Sequence, residues 1–103
     1  MVIVELDVIY YLDSLVNDLY HDEYFSYREN ADAYVQKIYE FMQNRIHTFP
    51  PKKTPKELSH LGEHYIFYQS NARTTWFVFF EQRNSNYLVT GILNNHCSEA
   101  RFI

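Results

Sequence analysis

The residues able to do chemistry fall in two stretches of the chain. "PKKTPKELSH" supplies Lys52, Lys53 and Lys56, while "NARTTWFVFFEQRNSNYLVTGILNNHC" opens near Arg73 and closes on Asn94, Asn95, His96 and Cys97. Histidine gains and loses a proton near neutral pH, and arginine offers a planar fork of donors that fits a phosphate or carboxylate. Lysine adds a compact positive charge. All these residues stand in turns or at strand ends, where sites are usually built on a rigid scaffold. If the last strand runs back past the lysine-bearing connector, they gather around one anionic ligand, with an imidazole placed to move a proton beside it.

Other chemistries fit less well. His60, His64, His96 and Cys97 can be drawn as zinc ligands, but Gly62 interrupts a helical face between the first two and the spacing matches no structural zinc pattern, so no metal is expected. There is no glycine-rich phosphate loop, no GxSxG elbow and no CxxC pair. Cys97, the single cysteine, permits no internal disulfide and reads as a small apolar filler.

The charge is unevenly distributed. The 103 residues carry a formal net charge of −4, which by itself counts against nucleic-acid binding. Residues 1 to 40, however, hold nine carboxylates against Arg28 and Lys37, whereas residues 41 to 103 hold seven Lys/Arg against four carboxylates. A polyanion can thus meet a basic part of an acidic protein, and the acidic part is otherwise a solvated helical face. The longest apolar runs, "VIYYL" and "WFVFF", are far too short to span a bilayer, and "MVIVELD" lacks the basic flank of a signal peptide. A cytoplasmic location is the expectation.

The elements that must position these residues follow from periodicity. Alternation of Val2, Val4 and Leu6 predicts a short first strand, after which Asp7 caps a helix running to about Tyr20 on Val8, Leu12, Leu15, Val16 and Leu19. "HDEYF" is its exit. "SYRE" has the form of a capping box, Ser26 with Glu29, and opens a second helix whose stripe is Ala31, Tyr34, Val35, Ile38, Phe41, Met42 and Ile46. "FPP" ends it. A basic connector follows, with a turn of helix at Pro55 to Leu61 stopped by Gly62. Strands are expected at about 64 to 69, 73 to 82 and 86 to 94, joined by "SNA" and "RNSN" as an antiparallel meander. The middle one is apolar on both faces around Trp76 to Phe80, as in a central strand covered on one side and partly filled on the other. With 47% hydrophobic and 18% aromatic residues the chain makes one core, so residues 1–103 are read as a single α+β domain of order β-α-α-β-β-β. Two antiparallel helices pack on one face of a mainly antiparallel sheet. The ten tyrosines are core, with hydroxyls reaching water, unless a partner covers some of them.

This order of elements, with "GEHYIFYQSNARTTWFVFFE" entering the sheet and "YLVTGILNNH" ending it, resembles the RelE/ParE toxins of bacterial type II toxin-antitoxin modules over about residues 5 to 98. The resemblance implies a toxin held inactive by a cognate antitoxin. RelE-like members cut messenger RNA on the ribosome without a metal or other cofactor; ParE-like members inhibit DNA gyrase without catalysis; a degenerate member would bind its antitoxin alone. For a nuclease, attack of a ribose 2′-OH on the adjacent phosphate requires a base, an acid for the leaving oxygen, and cations on the phosphorane charge. Carried over by position, His96 is then the general acid or base and Arg73 the phosphate clamp. Lys52, Lys53 and Lys56 of the connector, with His64, Tyr65 and Asn95, are the substrate-binding candidates, Tyr65 and His64 for base stacking or proton transfer.

Overall fold

A computed structural model describes residues 1–21 and 28–103. Of the expected "HDEYF" exit, His21 is the last residue of the first helix, and residues 22–25, like the Ser26 half of the capping box, lie outside the described residues.

The order of elements is β1 (Val2–Val4), α1 (Leu6–His21), α2 (Arg28–Arg45), β2 (Lys52–Lys53), a 3-10 helix (Lys56–Leu61), β3 (His64–Asn71), β4 (Thr74–Arg83), β5 (Asn86–Asn94) and a second 3-10 helix (Ser98–Phe102). The sheet order is β1-β5-β4-β3-β2, with β1 parallel to β5 and every other pair antiparallel. The architecture is therefore α+β, two helices with a mostly antiparallel five-stranded sheet. Its radius of gyration, 13.6 Å, is near the roughly 13 Å of one compact domain of this length.

Three details depart from the expected elements. Asp7 is not the cap of α1: the helix already starts at Leu6, and the Glu5 carbonyl accepts the amides of Val8 and Ile9 at 3.0 and 3.1 Å. Asp7 instead lies in the first turn, where its charge still favours the positive end of the helix dipole. The connector is not wholly loop, since Lys52–Lys53 forms a strand, Lys52 opposite Tyr65 and Lys53 opposite His64. Pro51 before it and Pro55 after it disfavour helix, so the short segment stays extended and pairs with the free edge of β3. Two lysines carry no apolar alternation, which is why periodicity does not reveal a strand there. Finally, the order acquires this extra strand between the helices and the meander, giving β-α-α-β-β-β-β.

The core lies between helices and sheet. Val8, Leu12 and Val16 of α1, Ala31, Val35, Ile38 and Met42 of α2, and Ile46 after it pack on Ile66, Trp76, Val78, Phe80 and Val89. The opposite face of the sheet has a smaller cluster, Leu58, Tyr65, Phe79 and Leu93, with Leu61, Phe77 and Cys97 packed against it. Both faces of β4 are thus apolar because both are covered, one by helices and one in part by the first 3-10 helix. Two bulges interrupt the ladders: Ser70 is the extra residue between the β3–β4 pairs Gln69–Thr75 and Asn71–Thr74, and Thr90 the extra residue opposite Phe79–Phe80. Each redirects a hydroxyl, as bulges do. Ser70 donates to the Thr74 carbonyl (3.3 Å) and shares a hydrogen bond with the Tyr34 hydroxyl (2.8 Å), while Thr90 donates to the Leu61 carbonyl at 2.5 Å.

Candidate functional site

The hairpin turn between β3 and β4 sets Arg73. Asn71 Oδ1 accepts the Arg73 amide at 2.8 Å, an Asx turn that lets a short polar side chain stand in for a backbone carbonyl. Across from this turn the chain continues past the end of β5. The Asn95 amide nitrogen of the main chain donates to the Thr75 carbonyl at 3.0 Å, so pairing persists one residue beyond the strand. The Asn95 side chain then closes the corner: its Oδ1 accepts from the Thr75 amide (2.9 Å) and its Nδ2 donates to the Arg73 carbonyl (3.0 Å). His96 lies next, its main-chain amide bonded to Asn94 Oδ1 at 2.8 Å and its Nε2 sharing a 3.2 Å hydrogen bond with Thr74 Oγ1. Thr74 is buried while His96 and Arg73 are exposed, so the imidazole is anchored on its inner side and open on its outer side.

Arg73, Asn95 and His96 therefore meet at one end of the sheet. The lysines do not join them. Lys52 and Lys53 pair with Tyr65 and His64, which in turn face Phe79 and Phe80, five and six residues up β4 from Thr74. At ~3.4 Å per residue this separation is roughly 17 to 20 Å along the strand. Lys56, in the first turn of the 3-10 helix, is exposed and follows β2 away from the hairpin turn. A single gathering of all the cations, anticipated if β5 ran back past the connector, is absent because β2 pairs with the beginning of β3 and Arg73 follows its end.

A depression of about 310 Å³ lies on the face of the sheet away from the helices. Lys52 and Tyr65 line one end and Thr75 the other, with Phe67, Gln69, Phe77 and Ile103 completing it. The Thr75 amide is the one held by Asn95, but Thr74, which holds the His96 ring, alternates with Thr75 and shares the helix side with Trp76, so neither Arg73 nor His96 lines the depression. The Lys52 ammonium stands 5.9 Å from the Phe67 ring centroid. Phe67 and Phe77 are cross-strand partners and offer aromatic surface to the solvent side. Tyr65, by contrast, is buried between the rings of Phe77 and Phe79, at 6.1 and 5.6 Å, and serves mainly as core. Phe67, Gln69, Thr75 and Phe77 escape a reading that looks only for ionisable groups. Their signal is the strand period, which puts Tyr65, Phe67 and Gln69 on the face opposite Ile66 and Tyr68.

His64 occupies a different place. It is half-buried at the far end of β3, its ring 6.0 Å from that of Phe80, and lines a depression of about 330 Å³ with Lys53, Thr54, Ser59 and Glu63. His64 and His96 thus sit at opposite ends of the sheet. Among the described residues no three of His, Cys, Asp and Glu converge as a metal-binding group. Cys97 packs on the smaller core cluster with its thiol 3.7 Å from Asn94 Oδ1.

Among the described residues, three titratable groups are displaced. Burial, with the negative charges of Cys97, Asp18 and Tyr34 when ionised, holds the Tyr11 phenol above its ordinary value; its ring stands edge-on to Trp76 at 6.3 Å. Burial and Asp13 do the same to Tyr39. The Glu99 carboxyl is held low by the Ser98 hydroxyl, which donates to it at 2.7 Å.

No protein-family model, no curated protein and no solved structure matches the chain.

Proposed function

We propose that the protein is the toxin of a type II toxin-antitoxin module of RelE/ParE type, and that it acts as a ribosome-dependent, metal-independent messenger-RNA endoribonuclease. The observation that carries this reading is the corner in which Asn95 ties the Arg73 turn to the end of β5 beside His96. There His96 exchanges a proton with the reacting ribose or leaving oxygen, and Arg73 binds the scissile phosphate. Thr74 positions the ring by bonding its Nε2, so proton exchange with substrate falls to the ring's other nitrogen or follows release of that bond. Phe67 and Phe77 offer stacking surface for bases farther along the strand, and Lys52 a cation for a phosphate several nucleotides away. A cognate antitoxin is the expected partner, and the cytoplasm the expected place. Among the described residues no helix is long and apolar enough to cross a membrane.

A second reading draws support from the separation of Lys52, Lys53 and Lys56 from Arg73 and His96. A ParE-like inhibitor of DNA gyrase acts through protein contacts and needs no cluster of cations around a phosphate. A translation extract carrying a defined message distinguishes the two. Cleavage of the message, lost in His96→Ala and Arg73→Ala, is the expected result. Intact message together with loss of plasmid supercoiling would mean that gyrase is the target.

A further inference from the structure

We propose that the solvent-facing side of α1 is a docking surface for a cationic amphipathic helix of another protein. Val8, Leu12 and Val16 turn inward, so the outward ridge is set by Leu6, Tyr10 and Ser14 at four-residue steps. Leu6 and Tyr10 are 63% and 61% exposed and, standing four apart, form adjoining apolar surface on this ridge. Asp7, Tyr11 and Asp18 flank this ridge on one side and Asp13 on the other, at the spacings that place them beside it. The helix contains no lysine or arginine, and among the described residues no ion pair engages its carboxylates.

The charge selects the occupant. A second copy of the chain would set aspartates against aspartates, and a nucleic acid or anionic lipid would be repelled in the same way. A helix with an apolar stripe flanked by lysine or arginine meets both features at once. The four-residue ridge of α1 enters a groove between its ridges, Ser14 leaves room for close approach, and the flanking cations pair with Asp7, Asp13 and Asp18 as charges do at the edges of a coiled-coil seam. The surface is independent of the nuclease reading: Leu6, Tyr10 and the aspartates take no part in the Arg73–His96 corner, and only the flanking Tyr11 reaches toward that end of the sheet, edge-on to Trp76.

The test titrates the full chain with a synthetic helical peptide bearing a leucine stripe flanked by lysines, and with its twin bearing glutamates instead. Affinity is read by calorimetry and location by amide chemical shifts. Saturable binding of the lysine peptide is expected, with shifts confined to α1 and its neighbours and affinity falling as salt is raised. The glutamate twin should bind at least about tenfold more weakly, as should the lysine peptide to a chain carrying Leu6→Ser and Tyr10→Ser. Asp7→Lys with Asp13→Lys should reverse the preference toward the glutamate twin, a result that general stickiness or a folding defect cannot produce. Equal affinity for the two peptides, absence of saturable binding, shifts centred on the sheet, or self-association through Leu6 and Tyr10 in sedimentation would each overturn the proposal.

Discussion

At the scale of single residues, Asn95 and His96 are neighbours with opposite consequences. Asn95 commits both arms of its amide to main-chain groups of Thr75 and Arg73, while His96 holds one bond to Thr74 and is otherwise exposed. Asn95→Ala should therefore release two exposed backbone groups to water and cost about 0.5 to 1.5 kcal/mol, measurable as a lower denaturation midpoint. His96→Ala should cost about 1 kcal/mol, because the hydroxyl of buried Thr74 loses its partner. Activity should fall far more with His96→Ala than that loss of stability accounts for. That the Arg73 turn lies beside the end of β5 was legible in the sequence, because a turn before β4 and the end of β5 must share one edge of a meander. The commitment of Asn95 was not, since it depends on register to the residue, and a one-residue slip would have pointed its amide elsewhere. A second prediction concerns Tyr11 and Tyr39, whose phenols are held above the ordinary value near 10. Their neutral forms are favoured by the fold, so the stability they contribute is fully present below pH ~10 and is lost as pH rises from there through the raised folded values. Tyr11→Phe should flatten that alkaline loss without changing the slope near neutrality, as followed by denaturant melts across pH; an unchanged alkaline slope would show that the phenol is not shielded.

At the scale of elements, the first 3-10 helix lies on the sheet because two glycines permit it. Gly62 has φ of 151°, and a Cβ there would stand 2.9 Å from the Phe80 amide nitrogen. A Cβ at Gly91 would stand 2.9 Å from the Leu61 carbonyl oxygen and 3.0 Å from its Cβ. The obstacle at Gly91 is backbone, which cannot swing aside like a flexible side chain. Gly91→Ala should consequently push the 3-10 helix off the sheet, disturb the Thr90–Leu61 bond and loosen Leu58 and Tyr65, at about 1 to 3 kcal/mol. A melt with lowered midpoint and unchanged denaturant slope is the expected signature; wild-type stability would mean that the helix is not seated as described. Helix periods and the three meander strands were readable, with ends off by a residue or two, because each buries a face that leaves a repeat. Neither β2 nor the bulges at Ser70 and Thr90 leaves one. A two-residue strand is too short for a period, and a bulge is defined only by the partner it slips against.

At the scale of the whole molecule, the charge imbalance between the halves of the sequence becomes a separation between layers. Residues 1 to 40 form β1, α1 and most of α2, whereas most of the later cations lie in the sheet, its turns and the 3-10 helices. Arg83 is neutralised by Glu81 at 3.1 Å and Glu63 at 3.8 Å, but Lys52, Lys53, Lys56, Arg73 and Arg101 have no ion pair among the described residues. The acidic layer and the basic layer can therefore engage different partners, although the net charge of −4 would suggest that polyanions are refused. If an RNA strand runs along the depression at Lys52 and on past its end to Arg73, its affinity must depend on salt through those charges rather than through the total. Binding of a short single-stranded RNA with a 2′-O-methyl sugar at the cleavage position, which prevents reaction, should weaken as salt rises. Lys52→Ala and Arg73→Ala should each reduce the logarithmic salt slope by about one, and Arg83→Ala, already paired, should leave it nearly unchanged. The comparison among three cations on one sheet removes the effect of net charge, which shifts equally in all three variants. A slope lowered as much by Arg83→Ala as by the other two would mean that RNA reads only the protein's overall field, and that the depression is not its track.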